Sequence, residues 1–274
     1  MKIKRICVCL NSSPLYTGMW DIFSEVYTKT TEFIPTLFFY GTQEELDSEV
    51  KKDYGEVVLL PKYPEVIVNP QLDWTIAWSL YWGAAHYYPE DVCLFSGIDD
   101  LPISTILWDS MREIPDDKYV IPLGKNPYNI PSVDGTKHII ANGYNCGKGK
   151  TLKKIFHMSD NLQEELYKLW GNRHMFASQF PSNHANLNGW QRWWGMDEAY
   201  MSCFVHDHPD VVFLEDNFVK DKIQGTKINR AEGFDYDLDK LNNKEYSFAH
   251  IPRPLTDERN MDKVTKLLKD MGIW

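Results

Sequence analysis

The sequence predicts an α/β fold in which a mixed, mostly parallel sheet is flanked by helices. Segments of strand length alternate with segments of helical periodicity from residue 3 to about residue 125, which is typical of βαβ units. Within this run Val92–Phe95 is uninterrupted apolar sequence, the pattern of a strand buried on both faces of a parallel sheet. A chain of 274 residues can bury the core of one such domain.

The elements before residue 125 follow from two patterns. Short alternating or apolar runs that end at Gly, Pro or polar turns predict strands, and apolar residues at helical spacing predict helices. The predicted strands are residues 3–10, 36–40, 57–60, 92–95 and 119–123. The predicted helices are residues 20–31, 44–52, 73–88 and 103–112. The third of these helices is apolar around most of its surface, so we expect a largely buried crossover helix.

The alternation changes beyond residue 125. Residues 124–135 are rich in Pro, Gly and Asn and predict a long loop. The predicted elements that follow are a strand at 138–141, a glycine-containing turn at 142–147, a helix at 150–170 with a break near 158–159, a helix that begins at Asp197, a strand at 211–214 and an amphipathic helix at 257–271.

Composition and charge limit the classes of protein to which the chain can belong. With 25% charged and 43% hydrophobic residues, and no apolar segment long enough to span a bilayer, the sequence predicts a soluble globular protein. The N-terminal apolar run is too short for a secretion signal, and five cysteines form no disulfide framework, so we expect a reducing, cytoplasmic location. The net charge of −10 disfavours a large nucleic-acid surface but allows a local basic groove.

An acidic pair follows the central predicted strand. Ser96-Gly97-Ile98 leads from this strand into Asp99 and Asp100, at the sheet edge where open α/β folds bind ligands. Two adjacent carboxylates after a glycine-permitted turn can hold a hard divalent cation, and through it phosphate oxygens. The alternative is a strand-to-helix turn in which Asp100 caps a helix that begins near Pro102.

A polar turn follows the first predicted strand. Asn11 and Ser12 come directly after it and would lie at the same sheet edge as the acidic pair if the two strands are parallel. We expect them to contact the base or ribose of a nucleotide. The alternative for each is an ordinary Asx or Ser turn.

A second group combines acids with aromatic residues. Asp197 and Glu198 lie at the start of a predicted helix, close in sequence to Trp190, Trp193 and Trp194. Indole faces pack against the apolar face of a pyranose, and a carboxylate can accept a hydroxyl proton or stabilise positive charge at an anomeric carbon. The pattern therefore indicates a sugar site. The alternative is a tryptophan-rich hydrophobic cluster beside a capped helix.

Two histidine-containing segments are candidate metal ligands. His250 follows a short apolar alternation near the C-terminus and could supply a nitrogen ligand to the cation held by the acidic pair. His206, Asp207 and His208 form a rival cluster, which has the pattern of a solvated loop at a helix end.

These motifs together resemble those of the GT-A class of nucleotide-sugar glycosyltransferases. The resemblance implies a GT-A type, Rossmann-like fold in a single domain, with a nucleotide-binding half at residues 1–125 and an acceptor-binding half at residues 126–274. Residue for residue it is confined to three pieces, which are Gly97-Ile98-Asp99-Asp100, Trp194-Gly195-Met196-Asp197-Glu198 and His250.

The resemblance also implies residue roles. Asp100 and His250 would bind a Mn²⁺ or Mg²⁺ that carries the diphosphate of a nucleotide sugar, with a UDP-sugar as the expected donor. Gly97 stands where a strict D-x-D motif has its first acid, and Asp99 would take over that role at the ribose or sugar. Glu198 would be the base of an inverting enzyme, or the group facing the anomeric carbon in a retaining one.

In this scheme Asp197 grips the acceptor or donor sugar, and Trp194 forms part of the donor site. The main hypothesis is a metal-dependent glycosyltransferase that moves a hexose or related sugar from a nucleotide diphosphate sugar to a hydroxyl acceptor, such as a saccharide. The alternatives are a catalytically silent carbohydrate-binding protein of the same fold, a nucleotidyltransferase, and a glycosyltransferase acting on modified nucleic acid, which the acidic charge disfavours.

Overall fold

The structure is a computed structural model that describes residues 1–51, 53–63, 74–125, 131–141, 143–179, 196–214 and 225–274. Ten strands lie in this described part of the chain. They are β1 (Arg5–Leu10), β2 (Ile34–Gly41), β3 (Glu56–Pro61), β4 (Val92–Phe95), β5 (Asp100–Pro102), β6 (Tyr119–Ile121), β7 (Cys146–Lys148), β8 (Val211–Phe213), β9 (Ile228–Asn229) and β10 (Phe248–His250).

Seven of these strands form one mixed sheet in the order β3-β2-β1-β4-β7-β6-β8. Strands β3, β2, β1 and β4 run parallel, and so do β6 and β8. Strand β7 is antiparallel to both of its neighbours, β4 and β6. The predicted α/β class with a mostly parallel sheet is therefore confirmed.

The described residues contain nine α-helices. They are α1 (Met19–Thr30), α2 (Gln43–Glu49), α3 (Trp74–Tyr87), α4 (Ile106–Asp109), α5 (Gly149–Phe156), α6 (Leu162–Gln179), α7 (Met196–Val205), α8 (Leu238–Asn242) and α9 (Glu258–Asp270). The predicted break in the helix at 150–170 separates α5 from α6, and α7 begins one residue before the predicted start. No helix of the described part of the chain is long and apolar enough to cross a membrane.

The main sheet separates two hydrophobic clusters. Helices α1 and α9 pack on one face, with the β1 side chains Ile6 and Val8, while α3, α5, α6 and α7 cover the other face. Strand β4 contributes Leu94 to the first cluster and Cys93 and Phe95 to the second. This burial on both faces explains why β4 is uninterrupted apolar sequence.

A second, three-stranded sheet lies beside the C-terminal end of β4, in the order β5-β10-β9. Strand β5 is antiparallel to β10, and β10 is parallel to β9. Because β5 begins five residues after β4 ends, this small sheet connects the C-terminal part of the chain to the edge of the main sheet.

The predicted helix at residues 103–112 is wrong in most of its length. Strand β5 ends at Pro102, just before this segment, and residues 103–112 contain only the short helix α4. The backbone N–H of Ile103 donates to the carbonyl of Ser247 at 3.2 Å, so the segment continues to bond the C-terminal part of the chain. The alternative role of Asp100 as the cap of a helix near Pro102 is also wrong, because Asp100 begins a strand.

The predicted strand at residues 138–141 is also absent from the described structure, apart from one isolated bridge. The backbone N–H of Ile140 donates to Ser202 Oγ of α7 at 2.9 Å. This segment therefore packs on a helix and does not pair with a strand.

The strand forms a few residues later as β7, where we predicted the end of a turn. A Cβ atom on Gly147 would lie 2.9 Å from Cδ2 of Tyr119. Glycine therefore allows β7 to lie close to β6, which a pattern search for β-branched and aromatic residues does not detect.

Candidate active site

The acidic pair lies in a tight turn after β4. The backbone N–H of Asp100 donates to the carbonyl of Gly97 at 3.1 Å, which closes the turn. A Cβ atom on Gly97 would lie 2.8 Å from Oδ1 of Asp99 and 2.9 Å from Oδ2 of Asp100. The absence of a side chain at position 97 therefore leaves the space that the two carboxylates occupy.

The pairing of β5 with β10 brings a histidine to these acids. In this register His250 lies opposite Asp100, and the N–H of Ile251 donates to the carbonyl of Asp99 at 2.8 Å. One possible ligand atom from each of Asp99, Asp100 and His250 lies within 4.8 Å of the others. The structure thus brings together three residues that the sequence analysis singled out as ligand-binding candidates.

Asp99 is the most heavily contacted member of this group. Its Oδ2 accepts a hydrogen bond from Arg230 Nη1, lies 3.1 Å from His250 Nε2 and lies 3.5 Å from Arg253 Nη1. Burial by itself would raise the pKa of Asp99, but the hydrogen bond from His250 and the charges of Arg253 and Arg230 outweigh it and hold the pKa below its ordinary value.

The pKa of Asp100 is shifted in the opposite direction. Burial, followed by the charge of the adjacent Asp99, raises the pKa of Asp100 to about 7, against the opposing charges of His250, Arg230 and Lys227. The pair therefore combines an ionised acid with one that gains a proton near neutral pH, unless a cation lies beside it.

Asp99 is surrounded by Arg230 and Arg253, which the sequence patterns did not indicate. Arg230 lies in the turn that follows β9, 131 positions along the chain from Asp99, and no local pattern marks it. Arg253 lies three positions beyond His250, so a search for basic residues near the candidate ligand would have found it. Its Nη1 donates to the hydroxyl of Tyr16, and the guanidinium lies 4.9 Å from the centre of that ring.

The polar turn after β1 lies at the same sheet edge, because β1 is the parallel neighbour of β4. Asn11 Oδ1 accepts a hydrogen bond from the N–H of Ser13 at 3.1 Å, which is an Asx turn. Ser12 Oγ donates to Oε1 of Glu45 in α2 at 3.0 Å. Both predicted nucleotide contacts therefore also have local bonds that shape the turn.

The second acidic pair begins α7. Asp197 is buried, with 1% of its surface exposed, and Glu198 is half-buried. Burial, and then the charges of Asp197 and Glu198, raise the pKa of Tyr81. The ring of Tyr81 lies 4.6 Å from that of Phe95, the last residue of β4. Trp190, Trp193 and Trp194, which we predicted beside these acids, lie outside the described residues.

The rival histidine cluster has structural contacts. His206 Nε2 lies 2.6 Å from the carbonyl of His138, and its ring stacks on Phe213 at 5.6 Å. His208 Nδ1 accepts from the N–H of Asp210 at 3.1 Å. Within the described residues, the group with metal-ligand geometry is the one formed by Asp99, Asp100 and His250.

Comparison with known proteins identifies the fold. The sequence matches no protein-family model and no curated protein. The galactosyltransferase LgtC, solved in complex with donor and acceptor sugar analogs, is similar in structure, with a TM-score of 0.53, 10% identity, and coverage of 98% of this chain and 95% of that chain.

An active-site mutant of LgtC is similar to the same extent, with a TM-score of 0.52, 12% identity, and coverage of 96% of this chain and 95% of that chain. At such identities the likeness is one of fold. The chain has the GT-A type fold of these glycosyltransferases, a Rossmann-like mixed sheet flanked by helices.

Proposed function

We propose that this protein is a metal-dependent glycosyltransferase that moves a sugar from a nucleotide diphosphate sugar to a hydroxyl acceptor. The observation that carries the proposal is the register of β5 and β10, which places His250 opposite Asp100 beside the end of β4. Ligands bind at this edge of open α/β sheets. The likeness in fold to a galactosyltransferase also supports the proposal of glycosyl transfer.

The residues at this position suit a Mn²⁺ or Mg²⁺ ion. Asp99 and Asp100 offer carboxylate oxygens and His250 offers an imidazole nitrogen, within 4.8 Å of one another. In this proposal Asp100 and His250 hold the ion. When bound, it supplies positive charge that stabilises a diphosphate leaving group.

The nucleotide and sugar have separate proposed contacts. Asn11 and Ser12 lie at the carboxyl end of β1, the strand next to β4, and are proposed to contact the base or ribose. Asp99 and Trp194 are proposed to contact the donor. Residues 1–125 would then form the nucleotide-binding half of the single domain, and residues 126–274 the acceptor-binding half.

Glu198 and Asp197 are the proposed catalytic residues. Glu198 is half-buried in the first turn of α7, where the positive end of the helix dipole favours a carboxylate. It would accept the proton of the acceptor hydroxyl or stabilise positive charge at the anomeric carbon, and Asp197 would hold the sugar. The charges of both acids raise the pKa of Tyr81, whose ring lies 4.6 Å from that of Phe95 at the end of β4. This supports a position of the two acids close to the donor.

The test is a panel of nucleotide sugars, each incubated with the protein and Mn²⁺ while release of the nucleoside diphosphate is measured. We expect hydrolysis of at least one UDP-sugar, loss of that hydrolysis with EDTA, and loss in Asp100→Asn. Saccharide acceptors added to the active donor should accelerate release. Binding of a saccharide without turnover of any donor would favour the silent carbohydrate-binding protein and overturn the proposal.

A further inference from the structure

We propose that Arg230 and Arg253 bind the diphosphate of the donor, and that Asp99 occupies them until the diphosphate arrives. This inference rests on the proposed function and extends it to two residues with no assigned role. It also gives Asp99 a contact with the metal in addition to its proposed contact with the donor. It also predicts that the metal and the diphosphate each raise the affinity of the protein for the other. The positions of the metal ligands alone do not predict this.

The first observation is the crowding at one oxygen of Asp99. Oδ2 has Arg230, His250 and Arg253 as neighbours, the last two at 3.1 and 3.5 Å, and the Asp99 side chain is only 9% exposed. An oxygen that already has three nitrogen neighbours has no direction left for a cation. Oδ2 of Asp99 can therefore coordinate a metal only after at least one arginine has moved to another anion.

The second observation is the balance of charge. Two carboxylates, Asp99 and Asp100, face two guanidiniums, and the ammonium of Lys227 lies close enough to lower the pKa of Asp100. Adding a divalent cation to such a group leaves an excess of positive charge. A diphosphate is an anion of the right kind to neutralise it, since it carries several charged oxygens in a short length.

The third observation is the accessibility of the arginines. Their side chains are 23% and 20% exposed, and their bonds to the described residues are made by Nη1. The rest of each planar guanidinium fork can pair with phosphate oxygens in the bidentate manner that arginine favours.

Each arginine also has a second, neutral partner. Arg230 donates to the carbonyl of Ile251 at 3.2 Å, and Arg253 donates to the hydroxyl of Tyr16. These contacts do not depend on the charge of Asp99. They would keep both guanidiniums at the site when Asp99 turns towards a metal.

The consequence is a coupling between the two ligands. When the diphosphate takes over the arginines, Oδ2 of Asp99 is released to the metal, so each ligand tightens the binding of the other. Removing one arginine should do two opposite things. It should strengthen binding of the metal alone, because Oδ2 of Asp99 then has one charged neighbour fewer, and it should reduce the gain in metal affinity that the diphosphate brings.

The experiment measures Mn²⁺ binding by electron paramagnetic resonance, with Mn²⁺ alone and with UDP, and subtracts the Mn²⁺-UDP signal of protein-free solution. It compares the wild type with Arg230→Gln and Arg253→Gln. We expect each variant to bind Mn²⁺ alone about three- to tenfold more tightly, and to lose about tenfold of the gain produced by UDP. Inorganic pyrophosphate should reproduce the pattern, because the arginines contact phosphate and not the base.

Two further variants serve as controls. Arg259→Gln removes an 88% exposed arginine that pairs with Asp257 at the start of α9, and it should match the wild type in every measurement. Arg253→Lys keeps the charge beside Asp99 without the planar fork. It should bind Mn²⁺ alone as the wild type does and lose part of the UDP gain, which keeps the test decisive if a glutamine variant does not fold.

The outcomes separate this inference from the proposed function. Glutamine variants that bind Mn²⁺ alone no better than the wild type, or that keep the full UDP gain, would show that the arginines only brace Asp99. The inference would then be wrong and the proposed function would stand. A wild type that binds neither Mn²⁺ nor Mn²⁺ with UDP would overturn both.

Discussion

At the scale of single residues, two adjacent acids have opposite environments. Asp99 lies among Arg230, Arg253 and His250, whereas Asp100 is half-buried beside the charge of its neighbour. Ionising Asp100 in the folded protein therefore costs free energy when no cation is bound. Such a cost is expected where a protein keeps a residue for binding and not for stability.

The first prediction concerns this cost. The pKa of Asp100 is raised to about 7, above its value of about 4 in an unfolded chain, so its contribution to stability is present at low pH and is lost as the pH rises from about 4 to about 7. Asn resembles the protonated form and has no such loss. In EDTA, Asp100→Asn should therefore be more stable than the wild type at pH 8, by on the order of 2–4 kcal/mol.

Urea unfolding at pH 4.5, 6 and 8 would measure the effect, and the advantage of Asp100→Asn should grow with pH. The control is Asp207→Asn, which removes an 88% exposed carboxylate. It should show no comparable increase. An Asp100→Asn protein that is less stable than the wild type at pH 8 would contradict the environment described for this acid.

The second prediction separates the two acidic pairs. Glu198→Gln keeps the size and hydrogen bonding of the side chain but removes its charge, so binding of donor and metal should stay nearly unchanged. Turnover should fall by at least ~100-fold, the lower range for loss of a positioned acid-base group. Asp100→Asn should lose both the binding of donor with metal and the turnover. Calorimetry of donor binding together with the transfer rate would check this, and a Glu198→Gln enzyme as fast as the wild type would remove the residue from the mechanism.

At the scale of elements, β7 is the piece that completes the sheet between β4 and β6. Its Gly147 lies opposite Cys93 of β4 and close to the ring of Tyr119 in β6. Close packing of this kind explains how a three-residue strand with little strand propensity can pair on both sides.

The third prediction tests that packing. Gly147→Ala places a methyl group 2.9 Å from Cδ2 of Tyr119 and 3.3 Å from the carbonyl of Lys118, and should destabilise the fold by about 1–3 kcal/mol. The matched control is Gly171→Ala in α6, where a Cβ would meet nothing within 4 Å. It should be neutral or stabilising by up to about 1 kcal/mol, because alanine favours helix. Equal urea midpoints for the two variants would contradict the close approach of β7.

At the scale of the whole molecule, the small sheet connects distant parts of the chain. Strand β10 pairs with β5 and β9, so residues near positions 100, 229 and 250 meet beside the main sheet. A ligand held between Asp100 and His250 would bind the folded chain and not the unfolded one.

The fourth prediction follows from this linkage. Mn²⁺ with UDP should raise the melting temperature, because a ligand at about 100 times its dissociation constant stabilises the folded state by about 2.7 kcal/mol. Asp100→Ala should abolish the rise, as should His250→Ala. Differential scanning fluorimetry with and without EDTA would measure it. A full shift in Asp100→Ala would remove this residue from the metal site.

Much of the architecture could be predicted because it depends on local pattern. The spacing of apolar residues predicts the alternation of β1 to β4 with α1 to α3. The unbroken apolar sequence of β4 predicts that this strand is buried on both faces. The errors fell where tertiary contacts decide. Residues 100–102, where the alternative interpretation began a helix near Pro102, are a strand because β10 pairs with them, and β7 exists because Gly147 allows close packing.

The sequence by itself determined the fold class, the acidic pair after β4 and the position of His250 as a candidate ligand. Only the tertiary structure brought Asp99, Asp100 and His250 within 4.8 Å of one another, and only it surrounded Asp99 with Arg230 and Arg253. The physical reason is the distance along the chain over which each kind of interaction acts. Hydrophobic periodicity and turn chemistry act over a few neighbouring residues, whereas a binding site joins groups 131 to 154 positions apart through strand pairing that no local pattern encodes.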